Sequence, residues 1–113
     1  MHELGIVFYV VDEIEKVAKE NGATKVLGAT LELGEVSSVI PSYFMELWEW
    51  TIKKHEMLVD CKLDLVTMKA ISYCTECKKT YGTVEFGKTC PNCGSVKTYL
   101  VTGNQINLKN IKV

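Results

Sequence analysis

Four cysteines in two pairs constrain this chain more than any other feature. Cys74 and Cys77 form one Cys-x-x-Cys pair, Cys90 and Cys93 the other, and twelve residues separate them. Two such turns can point four thiolates at a single ion, and the pattern reads as a tetrahedral Zn(Cys)4 site in a small ribbon. Pro91 helps set the second turn, and Gly94 stands where a positive φ is often needed after it. Two alternatives share the pattern: a pair of disulfides in an exported protein, or rubredoxin-like iron in the same four sulfurs. A ligand set with neither His nor an open water position points to a structural metal rather than a Lewis acid. Lys78, Lys79, Lys88 and Lys97 lie in or beside the loop, where they can offset the excess negative charge of four thiolates around a divalent ion. Ordinary solubility accounts for those lysines equally well.

The rest of the chain must supply the fold that carries this ribbon. At 113 residues there is room for one core domain and a small excursion, and 47% apolar residues suffice for a core. A formal net charge of −1 argues against a strongly cationic nucleic-acid surface. The first apolar stretch has no basic leader and is interrupted by Asp12, Glu13 and Glu15. It reads as neither signal peptide nor membrane span. Four metal ligands and an odd Cys61, without an export signal, fit a reducing cytoplasm.

Apolar residues Leu4, Val7, Phe8, Val11, Ile14, Val17 and Ala18 recur at helical spacing and predict a helix from about 3 to 21, stopped by Asn21-Gly22. Residues 24–33 alternate as a strand, with Leu27, Ala29, Leu31 and Leu33 expected on the buried face. Pro41 opens a second helix running to about Lys54, with Phe44, Leu47, Trp48, Thr51 and Ile52 inward. A long strand from about Leu58 to Ser72 precedes the cysteines. Lys97–Val101 closes the ribbon, and Gln105–Val113 is a last strand. The order strand, helix, strand predicts parallel pairing of the first two strands through a right-handed crossover. The expected fold is therefore α+β: two helices packed on a small mixed three-stranded sheet, with an inserted zinc-ribbon lobe. The expected division is 1–72 plus 102–113 as an α/β domain and 73–101 as the zinc-ribbon domain. Cys61 reads as a buried structural thiol, His55 as a charge partner at the end of the second helix, and Trp48 as core.

A second candidate site lies at Met1-His2-Glu3. An α-amine, the following amide nitrogens and a nearby imidazole can wrap a divalent ion in fused chelate rings, a donor set suited to Ni²⁺ or Cu²⁺. His2 is too bulky to favour removal of Met1, so Met1 is expected to supply the amine. The expected ligands are the Met1 nitrogen, the His2 and Glu3 backbone nitrogens and one His2 ring nitrogen. These donors lose protons on binding, so affinity should fall with pH. Glu3 also suits a helix N-terminus, with no metal required.

Met1-His2-Glu3-Leu4 opens an amphipathic helix, followed by Leu31-Glu32-Leu33-Gly34-Glu35-Val36, then Pro41 with an aromatic-rich helix, then the paired cysteines ending Cys90-Pro91-Asn92-Cys93-Gly94-Ser95. In this combination the chain resembles the HypA/HybF family of hydrogenase nickel-insertion accessory proteins over essentially its whole length. The resemblance implies a non-enzymatic nickel metallochaperone that receives Ni²⁺ and delivers it, with a hydrogenase-maturation GTPase (HypB-type), to the [NiFe]-hydrogenase large subunit precursor. In some organisms such proteins also serve urease through its accessory proteins. Carried over, His2 is the nickel ligand assisted by Met1 and Glu3, and Cys74, Cys77, Cys90 and Cys93 hold structural zinc. Lys78 follows the first cysteine pair where many relatives have Gly or His, and no His flanks either pair. A transfer protein must also release its metal, and an exposed terminal site of nitrogen donors suits that. Micromolar affinity, about −8 kcal/mol, is the expectation.

Other classes stand against this reading. A nucleic-acid or protein-interaction zinc ribbon would use the loop lysines with Tyr81, Phe86 and Tyr99, but the chain contains no Arg for bidentate phosphate or base contacts. A redox iron protein would be coloured. An enzyme reading lacks a catalytic constellation. A homodimer through an exposed strand is also open to the fold.

Overall fold

The computed structural model describes residues 3–113. Helix α1 (Glu3–Glu20) buries Val7, Val10, Val11, Ile14 and Ala18, a stripe at three- and four-residue steps. Leu4 and Phe8, expected inward, are 39% and 45% exposed because they lie at the flank of that stripe, and Val10 takes the place given to them. The helix ends in a Schellman turn. Gly22 has φ +71°, Ala23 N donates to Ala18 O at 2.9 Å, and Gly22 N donates to Lys19 O at 3.1 Å.

Strand β1 (Gly28–Gly34) buries Ala29, Leu31 and Leu33, while Leu27 is outside the strand and exposed. Helix α2 (Pro41–Ile52) has Pro at its start and no side-chain cap. Its missing amide is one the first turn leaves unpaired anyway. Phe44, Trp48, Thr51 and Ile52 face inward, and Trp50 is half-exposed with Lys54 Nζ 4.0 Å from its ring centroid. The long strand expected at 58–72 is two strands with a 3₁₀ turn (Glu56–Leu58) before them: β2 (Lys62–Met68) and β3 (Ile71–Cys74). The break falls at Lys69–Ala70, and the two pieces join different sheets.

One sheet has the order β2-β1-β6, where β6 is Ile106–Lys112. Lys62 N bonds Leu27 O, and Glu35 N bonds Met68 O. Positions advance together, so β1 and β2 are parallel. Leu27 N bonds Lys112 O and Gly34 N bonds Gln105 O. Here they run in opposition, so β6 is antiparallel and the sheet is mixed. The second sheet, β4-β3-β5, is antiparallel and is built from β3, β4 (Thr80–Gly82) and β5 (Thr98–Thr102). A four-residue helix α3 (Thr83–Phe86) follows β4.

These elements form two compact units. The first takes the described residues of Met1–Glu32 with Val39–Val66 and Asn107–Val113; the second takes Leu33–Ser38 and Thr67–Ile106. In the first unit α1 lies against α2, and Val7, Ile14, Leu31, Phe44, Trp48 and Leu58 are fully buried. In the second, the turn after β1 fastens both ends of the chain segment that contains the cysteines. Glu35 N donates to Met68 O at 2.8 Å, and Glu35 Oε1 accepts from Ala70 N at 2.9 Å. On the other side Gly34 N donates to Gln105 O at 2.7 Å and Val36 N to Gly103 O at 2.8 Å. No described helix is long and apolar enough to cross a membrane.

Candidate metal centre

Each cysteine pair makes the same turn. In the first, Lys78 N donates to Cys74 O at 2.9 Å and Cys74 N to Lys79 O at 3.0 Å. In the second, Gly94 N donates to Cys90 O at 2.8 Å and Cys90 N to Ser95 O at 2.9 Å. The residue after each pair takes a left-handed conformation, with φ +60° at Lys78 and +74° at Gly94. The strain expected of a non-glycine residue therefore falls on Lys78. Thr75 N and Oγ1 both donate to Lys97 O, and Thr98 Oγ1 donates to Lys88 O, tying the turns to β5.

These turns bring Cys74, Cys77, Cys90 and Cys93 together with all four Sγ atoms within 4.8 Å of one another. The Cys74–Cys93 and Cys77–Cys90 separations are both 3.6 Å. Four sulfurs about 2.3 Å from a tetrahedral zinc lie about 3.8 Å apart, so the donor set fits this ion. The cysteines are free thiols, so the disulfide alternative is set aside. Beneath them sits a very small core of Cys74, Tyr81 and Cys90, with Cys77 packed against it. Tyr81 OH donates to Gly87 O at 2.8 Å, and Phe86 meets the Tyr81 ring edge-on at 6.3 Å. This core supplies little apolar burial for a whole lobe, so a metal bound by the four sulfurs would carry much of its folding free energy.

The sulfurs hold their protons unequally. At Cys90, burial opposes ionisation, but backbone N–H groups of Cys93 and Asn92 and the thiols of Cys77 and Cys93 outweigh it, lowering the thiol to about 6. At Cys93 a bond from the Ser95 backbone favours the thiolate, but burial and the sulfurs of Cys74, Cys90 and Cys77 push the thiol up to about 12. Burial and the bond to Cys90 raise Cys77. Cys90 ionises readily while Cys77 and Cys93 resist, as expected for a cluster that needs a cation to hold several thiolates together. Zinc bound there would supply that positive charge. Lys97 Nζ lies 3.3 Å from Glu76 and is exposed.

At the other candidate site, Met1 and His2 lie outside the described residues. Glu3 is the first residue of α1 and is buried, 2% exposed, and its Oε1 has no hydrogen-bond partner among the described residues. His55 Nδ1 lies 3.1 Å from Oε2 of Glu15 on α1, a contact that the sequence reading of His55 did not anticipate. Cys61 is buried, and burial pushes its thiol up to about 11.

The mixed sheet with two helices and the four-thiolate lobe define a small α+β zinc-ribbon protein. The family model for hydrogenase/urease nickel incorporation, metallochaperone, hypA, matches residues 1–113. Hydrogenase maturation factor HypA of Aquifex aeolicus (strain VF5) is 30% identical over 113 residues, spanning 100% of this chain and 97% of its own. The protein of the same name from Geobacter metallireducens is 30% identical over 113 residues, spanning 100% and 99%. The solution structure of the Ni metallochaperone HypA from Helicobacter pylori matches with TM-score 0.75 and 26% identity over 99% of this chain and 97% of that one. The chain belongs to the HypA family of nickel-incorporation metallochaperones, which act in hydrogenase maturation.

Proposed function

We propose that the chain binds Ni²⁺ at its N-terminus through Met1, His2 and Glu3 and delivers it to the [NiFe]-hydrogenase large subunit precursor. A HypB-type GTPase is the partner in delivery, and urease accessory proteins are a second destination. The work is that of a non-catalytic adaptor in the cytoplasm. Residues 1–72 with 102–113 handle nickel, and 73–101 form the zinc-ribbon domain. The observation that carries this reading is the family match across all 113 residues.

Two structural facts support it. The four sulfurs are close enough to saturate one tetrahedral ion, leaving the transferable metal to another site. Helix α1 begins at Glu3, and the first amides of a helix have no intrahelical acceptor. Their deprotonation by nickel therefore breaks no helical bond. Binding displaces protons, so acidification releases the metal.

The test is Ni²⁺ titration of three untagged proteins: native, His2→Ala, and native with one residue added before Met1. The native protein should bind with micromolar affinity, and both others more weakly. Tight binding by the extended protein would remove the α-amine from the ligand set. No binding by the native protein would sink the nickel reading.

A further inference from the structure

The four clustered cysteines differ sharply in access. Cys74 and Cys90 are 0% and 1% exposed, Cys77 is half-buried, and Cys93 is the exposed member of the set. The turn around Cys93 is open. Pro91, Asn92 and Gly94 are exposed, and a Cβ added at Gly94 would meet nothing within 4 Å. Cys90, in the same turn, is enclosed, and its Sγ accepts from Asn92 N at 3.4 Å. The two sulfur pairs at 3.6 Å both run between the turns, Cys93 to Cys74 and Cys90 to Cys77. The exposed sulfur therefore has a buried one beside it, carried by the other turn. Metal ligation requires thiolates, and the thiolate is the form that attacks an oxidant.

We propose that Cys93 is a site of reversible oxidation by peroxides, with Cys74 as its resolving partner, so that the lobe exchanges its metal for a disulfide between the two turns. Cys93 Sγ attacks one oxygen of hydrogen peroxide. The O–O bond breaks, a sulfenic acid forms on Cys93, and the departing hydroxide takes a proton to become water. Cys74 Sγ then attacks Cys93 Sγ. The S–S bond forms, the S–O bond breaks, and a second hydroxide leaves and is protonated. Two thiolates, one peroxide and two protons give one disulfide and two waters. The sulfurs lose two electrons and the peroxide gains them. Two of four ligands are then gone, so the metal is held more weakly. Cys77 and Cys90, also 3.6 Å apart, consume a second peroxide by the same route. The products tie one turn to the other covalently, where the metal had tied them by ligation. A dithiol reverses both steps and restores the metal site. Cys61 is buried in the first unit and takes no part. The inference rests on the four-thiolate centre and is independent of the nickel reading.

Lysines bracket both turns, so the native chain tests this without substitution. Trypsin releases Ala70–Lys78, which holds Cys74 and Cys77, and Thr89–Lys97, which holds Cys90 and Cys93. The zinc-loaded full chain is treated with one equivalent of hydrogen peroxide, its remaining thiols are alkylated in urea, and it is digested without reductant. Mass spectrometry should find the two peptides joined, with alkyl groups on Cys77 and Cys90. Dimedone added during oxidation should label Cys93 first. A chromogenic chelator should register zinc release in step with peroxide, complete by two equivalents, and dithiothreitol with added zinc should reverse it. NMR signals of Tyr81 should stay dispersed in the fully oxidised, metal-free chain, in contrast to the reduced chain stripped by a chelator. Separate peptides each closed on its own pair, dimedone on Cys61 or Cys77 ahead of Cys93, zinc released without a disulfide, or zinc retained after two equivalents would each overturn the proposal.

Discussion

Replacing Gly34 with Ala should destabilise the second unit even though the change adds one methyl group. A Cβ at Gly34 would lie 2.0 Å from Gly103 O, 2.2 Å from Gly103 C and 2.6 Å from Asn104 N. Ordinary contact begins near 3.4 Å, and every atom met is backbone, so no rotamer change relieves the clash. The segment must retreat by more than an ångström. That retreat takes the Gly34–Gln105 and Val36–Gly103 bonds, now 2.7 and 2.8 Å, out of range. Two lost bonds amount to about 2 kcal/mol, and residual overpacking adds about 1–3 kcal/mol. Reduced freedom of the unfolded chain offsets about 0.4–1 kcal/mol. The net expectation is a loss of about 2–5 kcal/mol. Gly5→Ala is the control: nothing lies within 4 Å of its Cβ position. It sits in a helix, so Ala there should stabilise, by up to about 1 kcal/mol. Urea denaturation followed by far-ultraviolet circular dichroism measures both, and amide exchange at Val36 localises the effect. Equal midpoints for Gly34→Ala and native, or unchanged exchange at Val36, would refute the clash argument.

Stripping the metal with a strong chelator should disorder the small cysteine lobe while Trp48 keeps its buried emission. NMR signals of Tyr81 losing dispersion would show it, and an unchanged Tyr81 would contradict a metal-supported lobe. Raising pH should weaken the fold through Cys61, whose thiol is held at about 11 against an ordinary 9.0. The unfolded chain loses this proton first, so the contribution is complete below pH 9 and is lost as pH rises through 11. Urea midpoints in this alkaline window should fall less steeply for Cys61→Ala than for the native chain. In the folded protein Cys61 should also alkylate more slowly than a free thiol, because burial keeps less of it as thiolate.

Much of this was legible in the sequence because its signals are local. Cys74, Cys77, Cys90 and Cys93 come together as their spacing requires, and Gly22 stops α1 as Asn21-Gly22 suggested. Pro41 opens α2, and the parallel pairing of β1 with β2 follows from strand order. What the sequence hid depends on partners distant along the chain. The apolar run 58–72 reads as one strand, and nothing within it tells that β2 pairs with β1 while β3 pairs with β4 and β5. Phe8 and Leu27 are as apolar as their buried neighbours, and only packing geometry leaves them outside. Gly34-Glu35 announces a turn but not its partners, which lie more than thirty residues on. The left-handed φ of Lys78 could have been found by aligning the two cysteine turns, because Lys78 occupies in the first the position Gly94 occupies in the second.

That turn at Gly34–Val36 also bears on how such proteins can be recombined. Its bonds grip the chain on both flanks of the metal-binding excursion, at Met68 and Ala70 on entry and at Gly103 and Gln105 on exit. The cysteine segment is contiguous in the gene, yet its anchorage is encoded about thirty codons upstream. A ribbon grafted from one relative into another would arrive without its matching clasp. Chimeras that move residues 33–38 together with the ribbon should therefore be better tolerated than those that exchange the cysteine segment alone.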